Sequence, residues 1–161
     1  MKKLLVPIFV ALLLLITVAG ATFAAPAEKP LPFKGSWQSL ENNVVDWPTI
    51  YVHGNGSGNA THLGKFTVTY EGVVHNDENG VGTATITAQF VAANGDSINA
   101  EASGVGTPSE TPGINQIVEH YTITGGTGRF VGASGSFTVE RLLNLPTSAS
   151  SGTIRGTITL P

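Results

Sequence analysis

Glu119 and Arg141 are the two residues with the clearest potential for chemistry, in a chain in which only 12% of the residues are charged. Each falls on the more apolar face of its own strand-like run. If the two runs form a hairpin in which Ile123 pairs with Phe137, the same register sets the carboxylate opposite the guanidinium on the inward face. Arg141 would then bind an anionic or carbonyl group, while Glu119 orients it or acts as an acid or base.

The same alternation places further polar side chains inside the predicted fold. Together they form a candidate ligand-binding set in a barrel interior: His62, Tyr70, Glu119, Tyr121 and Arg141. In this set Tyr121 would donate a hydrogen bond to a ligand. Two other interpretations stay open. The charged residues form a buried structural ion pair with His62 as a satisfied neighbour, or the inward face is the opposite one, which carries Val118, His120 and Glu140.

Metal and cofactor chemistry find little support in the sequence. The four histidines, His53, His62, His75 and His120, have spacings that fit no zinc motif. The glycine-rich run 125–135 departs from the G-x-G-x-x-G pattern, and no helical run follows it, so it predicts a structural turn rather than a phosphate site. We therefore expect no metal and no cofactor, and the catalytic residues, if there are any, stay unassigned.

Alternation of apolar and polar residues indicates strands throughout, and no segment has a convincing helical period. Strands are expected at 33–40, 49–53, 60–74, 82–92, 114–124, 135–143 and 152–160, with one more that carries Ile98, Ala100 and Ala102. A loop or sharp bend is expected at 54–58, and a loop at 104–113. Seven or eight antiparallel strands in a short chain predict an all-β fold, either a sandwich or a closed barrel, and closure would remove exposed edges.

The segment around Asn94 and Gly95 predicts a hairpin. A loop of three residues that ends at Gly95, with a bulge, pairs Phe90 with Ile98 and keeps both apolar faces on one side. A loop of two residues would set those faces against each other, so the longer loop is preferred.

The N-terminal segment has the order of a secretory signal peptide. Two lysines precede the apolar run Leu4–Val18, and small residues follow it up to Ala27. The apolar run is short of the ~20 residues that span a bilayer. We therefore expect a signal peptide at 1–27, a short linker at 28–33 and one β-barrel domain at 34–161. Cleavage is expected before Glu28, or before Ala25 at a weaker site, to give a secreted or extracytoplasmic protein.

The charge balance and the absence of cysteine exclude several classes of binding partner and site. Without Lys2 and Lys3 the chain keeps six basic residues against eleven acidic ones, a net charge of −5. Nucleic acids and anionic membranes both attract basic patches, so neither is an expected partner after signal cleavage. A chain without cysteine has no disulfides and no thiolate metal sites. With the short lysine start, this favours a bacterial export product.

One motif carries a family resemblance. The run Gly125-Gly126-Thr127-Gly128-Arg129-Phe130-Val131-Gly132-Ala133-Ser134-Gly135 resembles the motif that joins late strands in the allene oxide cyclase and dirigent barrel superfamily. The run from Ala60 to Thr67 is similar to a segment of small exported bacterial members. The resemblance implies an antiparallel eight-stranded β-barrel, no redox cofactor and, as in the plant members, a homotrimer. Those members direct ring closure or coupling of reactive intermediates in the barrel cavity. Their catalytic residues match no position here.

Three functions follow in order of preference. The first is an exported non-catalytic barrel that binds a small apolar or amphipathic molecule, or a surface partner. The second is a cofactor-free cyclase, isomerase or coupling-directing enzyme. The third is a purely structural extracellular module. Whether the chain is an enzyme stays open at this point.

Overall fold

The computed structural model describes residues 29–161, so the predicted signal peptide and both cleavage sites lie outside the described residues. The described part forms nine strands and a single turn of 3-10 helix at Gly128–Phe130. The strands are β1 (Leu31–Glu41), β2 (Val44–Asp46), β3 (Thr49–Ala60), β4 (Gly64–Asn76), β5 (Gly82–Ala92), β6 (Ser97–Pro108), β7 (Ile114–Gly126), β8 (Ser134–Asn144) and β9 (Ala149–Thr159). In residues 29–161 no helix has the length and apolar character needed to cross a bilayer.

Eight of the strands close into an antiparallel barrel. Each strand from β3 to β9 pairs with the next, and β1 pairs with both β9 and β3 to complete the ring. The short β2 continues along β3 in the register of β1, since Glu41 pairs with Gly54 and Val44 pairs with Tyr51. The predicted antiparallel eight-stranded β-barrel is therefore confirmed, and the sandwich alternative is wrong.

The barrel begins earlier than the predicted domain boundary. β1 starts at Leu31, within the linker expected at 28–33, and Phe33 is buried at 1% exposure. The backbone of Leu31 pairs with Ile158 of β9, so these first residues help to close the barrel.

The predicted loop at 54–58 and the first half of the one at 104–113 are strands, because glycine serves here as a small interior residue, whereas residues 109–113 form the predicted loop. β3 runs through the glycine-rich segment 54–58, and β6 continues to Pro108. A side chain at Gly58 would meet the Phe66 ring at 2.6 Å, and one at Gly104 would meet the Glu119 side chain at 2.8 Å. The glycines thus leave room for large side chains on neighbouring strands, as tight interior packing requires.

The predicted hairpin between β5 and β6 is confirmed. Phe90 pairs with Ile98, and the backbone N–H of Ala92 donates to Asp96 across the three-residue loop at 2.8 Å. Gly95 ends that loop with a φ of 91°, in the left-handed region that glycine tolerates best.

Aromatic side chains fill the middle of the barrel. The ring of Phe90 lies 5.6 to 6.1 Å from those of four neighbours, which are Trp37, Phe66, Tyr121 and Phe137. The Tyr121 and Phe137 rings stack at 4.9 Å between centroids with an interplanar angle of 3°. Aromatic rings prefer stacked or edge-to-face arrangements, so these contacts constrain the packing more than aliphatic side chains would. The interior at this level is a packed core.

Candidate functional site

Glu119 and Arg141 form a buried ion pair inside the barrel. Nη2 of Arg141 donates to Oε1 of Glu119 at 2.8 Å, and Nε donates to both carboxylate oxygens at 3.2 Å. The two side chains are 1% and 3% exposed. A forked guanidinium suits this two-oxygen arrangement, which neither a lysine nor a single oxygen reproduces. The contact expected from strand alternation is present.

The register that led to this contact is wrong by two residues. Tyr121, not Ile123, pairs with Phe137, so Glu119 lies opposite Val139 and meets Arg141 diagonally. A shift of two residues keeps every side chain on its original face, which is why the contact survives the error. The stacked Tyr121 and Phe137 rings favour the observed register. The alternative inward face is also wrong, since Val118, His120 and Glu140 are exposed.

Glu41 is a second carboxylate on Arg141 that the sequence interpretation missed. Its Oε1 accepts a hydrogen bond from Nη1 of Arg141 at 2.7 Å, and its side chain is 2% exposed. The first strand was expected to end at residue 40, so Glu41 fell outside every predicted strand. Continuing the alternation of Trp37 and Ser39 by one more step would have placed it inside.

Hydroxyl groups complete this buried polar network. Tyr70 donates to Oε1 of Glu41 at 3.2 Å and lies 2.9 Å from the Ser39 hydroxyl. The Tyr121 hydroxyl donates to Oε2 of Glu119 at 3.3 Å. Nη1 of Arg141 also donates to the Ser150 hydroxyl at 3.1 Å. The network therefore contains four of the five predicted site residues, and its members are Ser39, Glu41, Tyr70, Glu119, Tyr121, Arg141 and Ser150.

The network is arranged to hold one positive charge. Burial works against a charged Arg141, but the adjacent carboxylates of Glu119 and Glu41 outweigh it and raise the pKa of the guanidinium. Burial is the largest influence on the phenols, and it raises the pKa of both Tyr70 and Tyr121 well above the ordinary value. Both tyrosines are therefore hydrogen-bond donors and not phenolates at neutral pH.

His62 does not belong to the network, and its predicted inward position is wrong. β3 continues to Ala60, and residues 61–63 form the turn into β4, where His62 is exposed with a φ of 65°. Alternation along β4 cannot be extended backwards through a turn. Leu63, 1% exposed, takes the interior place instead.

Arg141 has little capacity left for a ligand. All three of its guanidinium nitrogens donate to protein oxygens, and the side chain is 3% exposed. The geometry therefore matches the structural ion pair that the sequence left open, since buried charges persist when they are paired and hydrogen-bonded. Within residues 29–161 there is no group of three or more His, Cys, Asp or Glu side chains placed to hold a metal ion.

A large concave surface lies outside the barrel, over the start of β9. The β9 residues that line it are small, and larger side chains lie beside them on the flanking strands: Leu40 of β1 pairs with Ala149, and Leu142 of β8 pairs with Ser151. The segment 108–111 adds a wall, and the resulting β9 cleft has a volume of about 1210 Å³. Its lining is mostly uncharged and polar, with side chains that include Gln38, Asn55, Gln116 and Asn144.

Comparisons with known proteins give no further guide to the function of this chain. No family model, no curated protein and no solved structure matches it.

Alkaline pH should test the placement of the two buried phenols. Their raised pKa values mean that the unfolded chain loses the phenolic protons first, near the ordinary value of 10.0. Their contribution to stability is therefore complete below about pH 10 and is lost as the pH rises towards the folded-state pKa values. Urea unfolding between about pH 9 and about pH 11 should show this fall, and it should be smaller in a double Tyr70→Phe, Tyr121→Phe variant.

Absorbance supplies the control for this prediction. In the folded state at about pH 11, the parent and the double phenylalanine variant should show the same phenolate absorbance, because neither phenol ionises before unfolding. A larger phenolate signal in the folded parent would contradict the buried positions of Tyr70 and Tyr121.

Proposed function

We propose that the protein is an exported, non-catalytic binding barrel that holds a small amphipathic molecule in the β9 cleft. One observation carries the proposal: Leu40 and Leu142 are 56% and 51% exposed within a cleft that is otherwise lined mainly by amides and hydroxyls. Pockets that bind small molecules combine apolar surface with a few placed polar groups. Export remains an expectation from the signal-peptide pattern and is part of the proposal.

The cleft also indicates the chemistry of the ligand. An apolar body would pack against Leu40 and Leu142, while uncharged polar groups would bond to Gln116 and Asn144. Among the described residues that line the cleft, Glu110 is the single charged one, and the chain is acidic as a whole. An anionic ligand is therefore disfavoured, and a neutral or cationic amphiphile fits best.

We also infer that the chain belongs to the allene oxide cyclase and dirigent barrel superfamily. The eight-stranded barrel supports this assignment, as does the position of the glycine-rich run at the β7–β8 connection. Gly128 and Gly132 have φ angles of 55° and 79° there, so the run is a conformationally demanding link between late strands. Aromatic rings occupy the interior together with an Arg141 whose three guanidinium nitrogens all donate to protein oxygens, and this does not favour the superfamily's cavity chemistry.

One observation favours a second candidate, a ligand inside the barrel of a cofactor-free isomerase or cyclase. Nε1 of Trp37 is buried without a hydrogen-bond partner among the described residues. An interior molecule with an acceptor atom beside Tyr70, whose ring lies 5.4 Å from that of Trp37, would satisfy this donor. The two candidates differ in location, so variants can separate them.

Native mass spectrometry of protein purified from its own host tests both candidates. We expect a small molecule to be carried by the parent and lost from Leu142→Asn, since removing this apolar contact weakens binding by about tenfold or more. Val105→Thr is the matched control, because Val105 is 45% exposed on β6 and does not line the cleft.

Three results would overturn the cleft as the binding site. One is equal retention by Leu142→Asn and Val105→Thr, and another is the absence of any co-purifying molecule in the parent. The third is retention by Leu142→Asn with loss from a folded Trp37→Phe variant, which would move the ligand into the barrel and favour the second candidate.

A further inference from the structure

Within residues 29–161, both exposed aromatic side chains lie on the β2–β3 hairpin. Eight of the ten aromatic residues in 29–161 are buried: Phe33, Trp37, Phe66, Tyr70, Phe90, Tyr121, Phe130 and Phe137. The other two are Trp47, 62% exposed at the turn, and Tyr51, 44% exposed on the outer face of β3. Tyr51 pairs with Val44 on one side and with Val73 on the other, so its ring has apolar neighbours across both strands.

A polar groove begins at His53, the next outward-facing residue of β3 after Tyr51. The next outward row along these strands contains His53, Glu71 and Thr87, and the row after it contains Asn55, Thr69, Gln89 and Asn99. These two rows line a groove of about 770 Å³ across the outer face. Nε2 of Gln89 donates to Oδ1 of Asn99 at 3.1 Å, which holds two of the amides side by side.

We propose that this face binds a neutral polysaccharide. Sugar rings would stack on Tyr51 and Trp47, whose electron-rich faces attract polarised C–H groups. Sugar hydroxyls would bond to the amides, hydroxyls and carboxylates of the groove, all of which accept or donate without requiring a charged partner. The length of the groove across several strands suits a chain of sugars better than a single one.

The charges of the groove select this ligand class over other polymers. Its lining includes Glu71 and Glu101 but no lysine or arginine among the described residues. Anionic polysaccharides, nucleic acids and anionic lipid surfaces all require basic groups, so they are disfavoured. A protein interface with exposed aromatic residues usually has few charged residues at its centre, and this groove instead combines carboxylates with amides.

The polysaccharide site is distinct from the β9 cleft, although the two surfaces meet at Asn55, which lines both. Trp47 and Tyr51 do not line the β9 cleft, so the polysaccharide proposal and the cleft proposal can be tested independently. Leu142→Asn, which disrupts the cleft, therefore serves as an internal control for the polysaccharide site.

Retention on insoluble polymers tests the proposal. The protein should bind to cellulose or chitin, which are neutral, and should pass through an alginate matrix, which is anionic. Tyr51→Ala and Gln89→Ala should each reduce retention at least tenfold, whereas Tyr51→Phe, which keeps the ring, and Leu142→Asn should bind like the parent. Unfolding curves for every variant exclude loss of fold as the cause.

A titration in solution reports on the aromatic platform directly. Cellohexaose or chitohexaose should shift the fluorescence of exposed Trp47 in the parent and not in a Trp47→Phe variant that keeps buried Trp37. The proposal is overturned if neither neutral polymer retains the parent, if alginate retains it better, or if Tyr51→Ala binds as the parent does. Capture of a host protein that depends on Tyr51, without binding to either polymer, would instead make this face a protein-docking surface.

Discussion

Replacing Arg141 with methionine should lower the free energy of unfolding by about 3–5 kcal/mol, because two buried carboxylates would lose the cation between them. Glu41 and Glu119 approach the guanidinium at 2.7 and 2.8 Å, with side chains that are 2% and 1% exposed. Urea unfolding measures the change. Arg155→Met is the matched control, since Arg155 is exposed on β9 and its loss should alter stability by about 0.5 kcal/mol or less.

A set of combined variants separates a paired charge from simple loss of packing. Adding Glu41→Gln and Glu119→Gln to Arg141→Met should give a chain that is less damaged than the sum of the single effects, because no unpaired charge then remains. Strict additivity would mean that the three groups do not interact, and it would refute the network as described. Strong coupling would establish the network without giving it a catalytic role.

Gly126→Ala should destabilise the barrel by about 1–3 kcal/mol or more, because the added carbon has no room. It would lie 2.7 Å from Cβ of Phe130 and 2.9 Å from the Phe130 carbonyl oxygen, and it would also meet the carbonyl oxygen of Ser97. Two of these three neighbours are backbone atoms, which cannot rotate away. Phe130 itself is fully buried in the core cluster, so moving it would disturb the packing around it.

Gly106→Ala is the control for this second prediction. The same added carbon at Gly106 meets only the Ile117 side chain, at an ordinary contact distance of 3.5 Å. Thermal melts should therefore show a clear loss for Gly126→Ala and little change, or a small gain, for Gly106→Ala. Equal melting of the two variants would contradict the close packing of the β7–β8 connection.

The alternation of apolar and polar residues predicted correctly which face of a strand each side chain occupies, but it did not predict which residues pair between β7 and β8. The reason is physical. Side chains in a strand repeat every two residues, so the pairing of Ile123 with Phe137 and the observed pairing of Tyr121 with Phe137 leave Glu119 on the same face. The predicted inward position of Glu119 and Arg141 was therefore insensitive to the error. The choice between the two registers depends on which rings stack, and a linear pattern of residue types does not contain that information.

Glycine was the main source of error in the strand boundaries. Segments with several glycines usually indicate loops, yet Gly54 and Gly58 lie in the middle of β3 because large rings of β4 occupy the space beside them. Inside a strand, glycine makes room for a side chain of the neighbouring strand, whereas in a loop it permits a turn. Only the partner strand distinguishes these two roles, and that partner is unknown before the fold is known. Glu41 and His62 were misplaced for a similar reason, since both lie where a strand meets a turn.

The closure of the barrel has a consequence for how the chain matures. β1 is the first strand of the barrel and needs two partners, β3 and the last strand, β9. Leu31 therefore cannot pair until Ile158 is available, and pairings between residues so distant in sequence make folding slow. A chain that passes through an export channel in extended form cannot complete this ring until its final strand has emerged. In the export proposed above, folding would therefore be completed only at the end of translocation, and the chain would stay unfolded while it is transported.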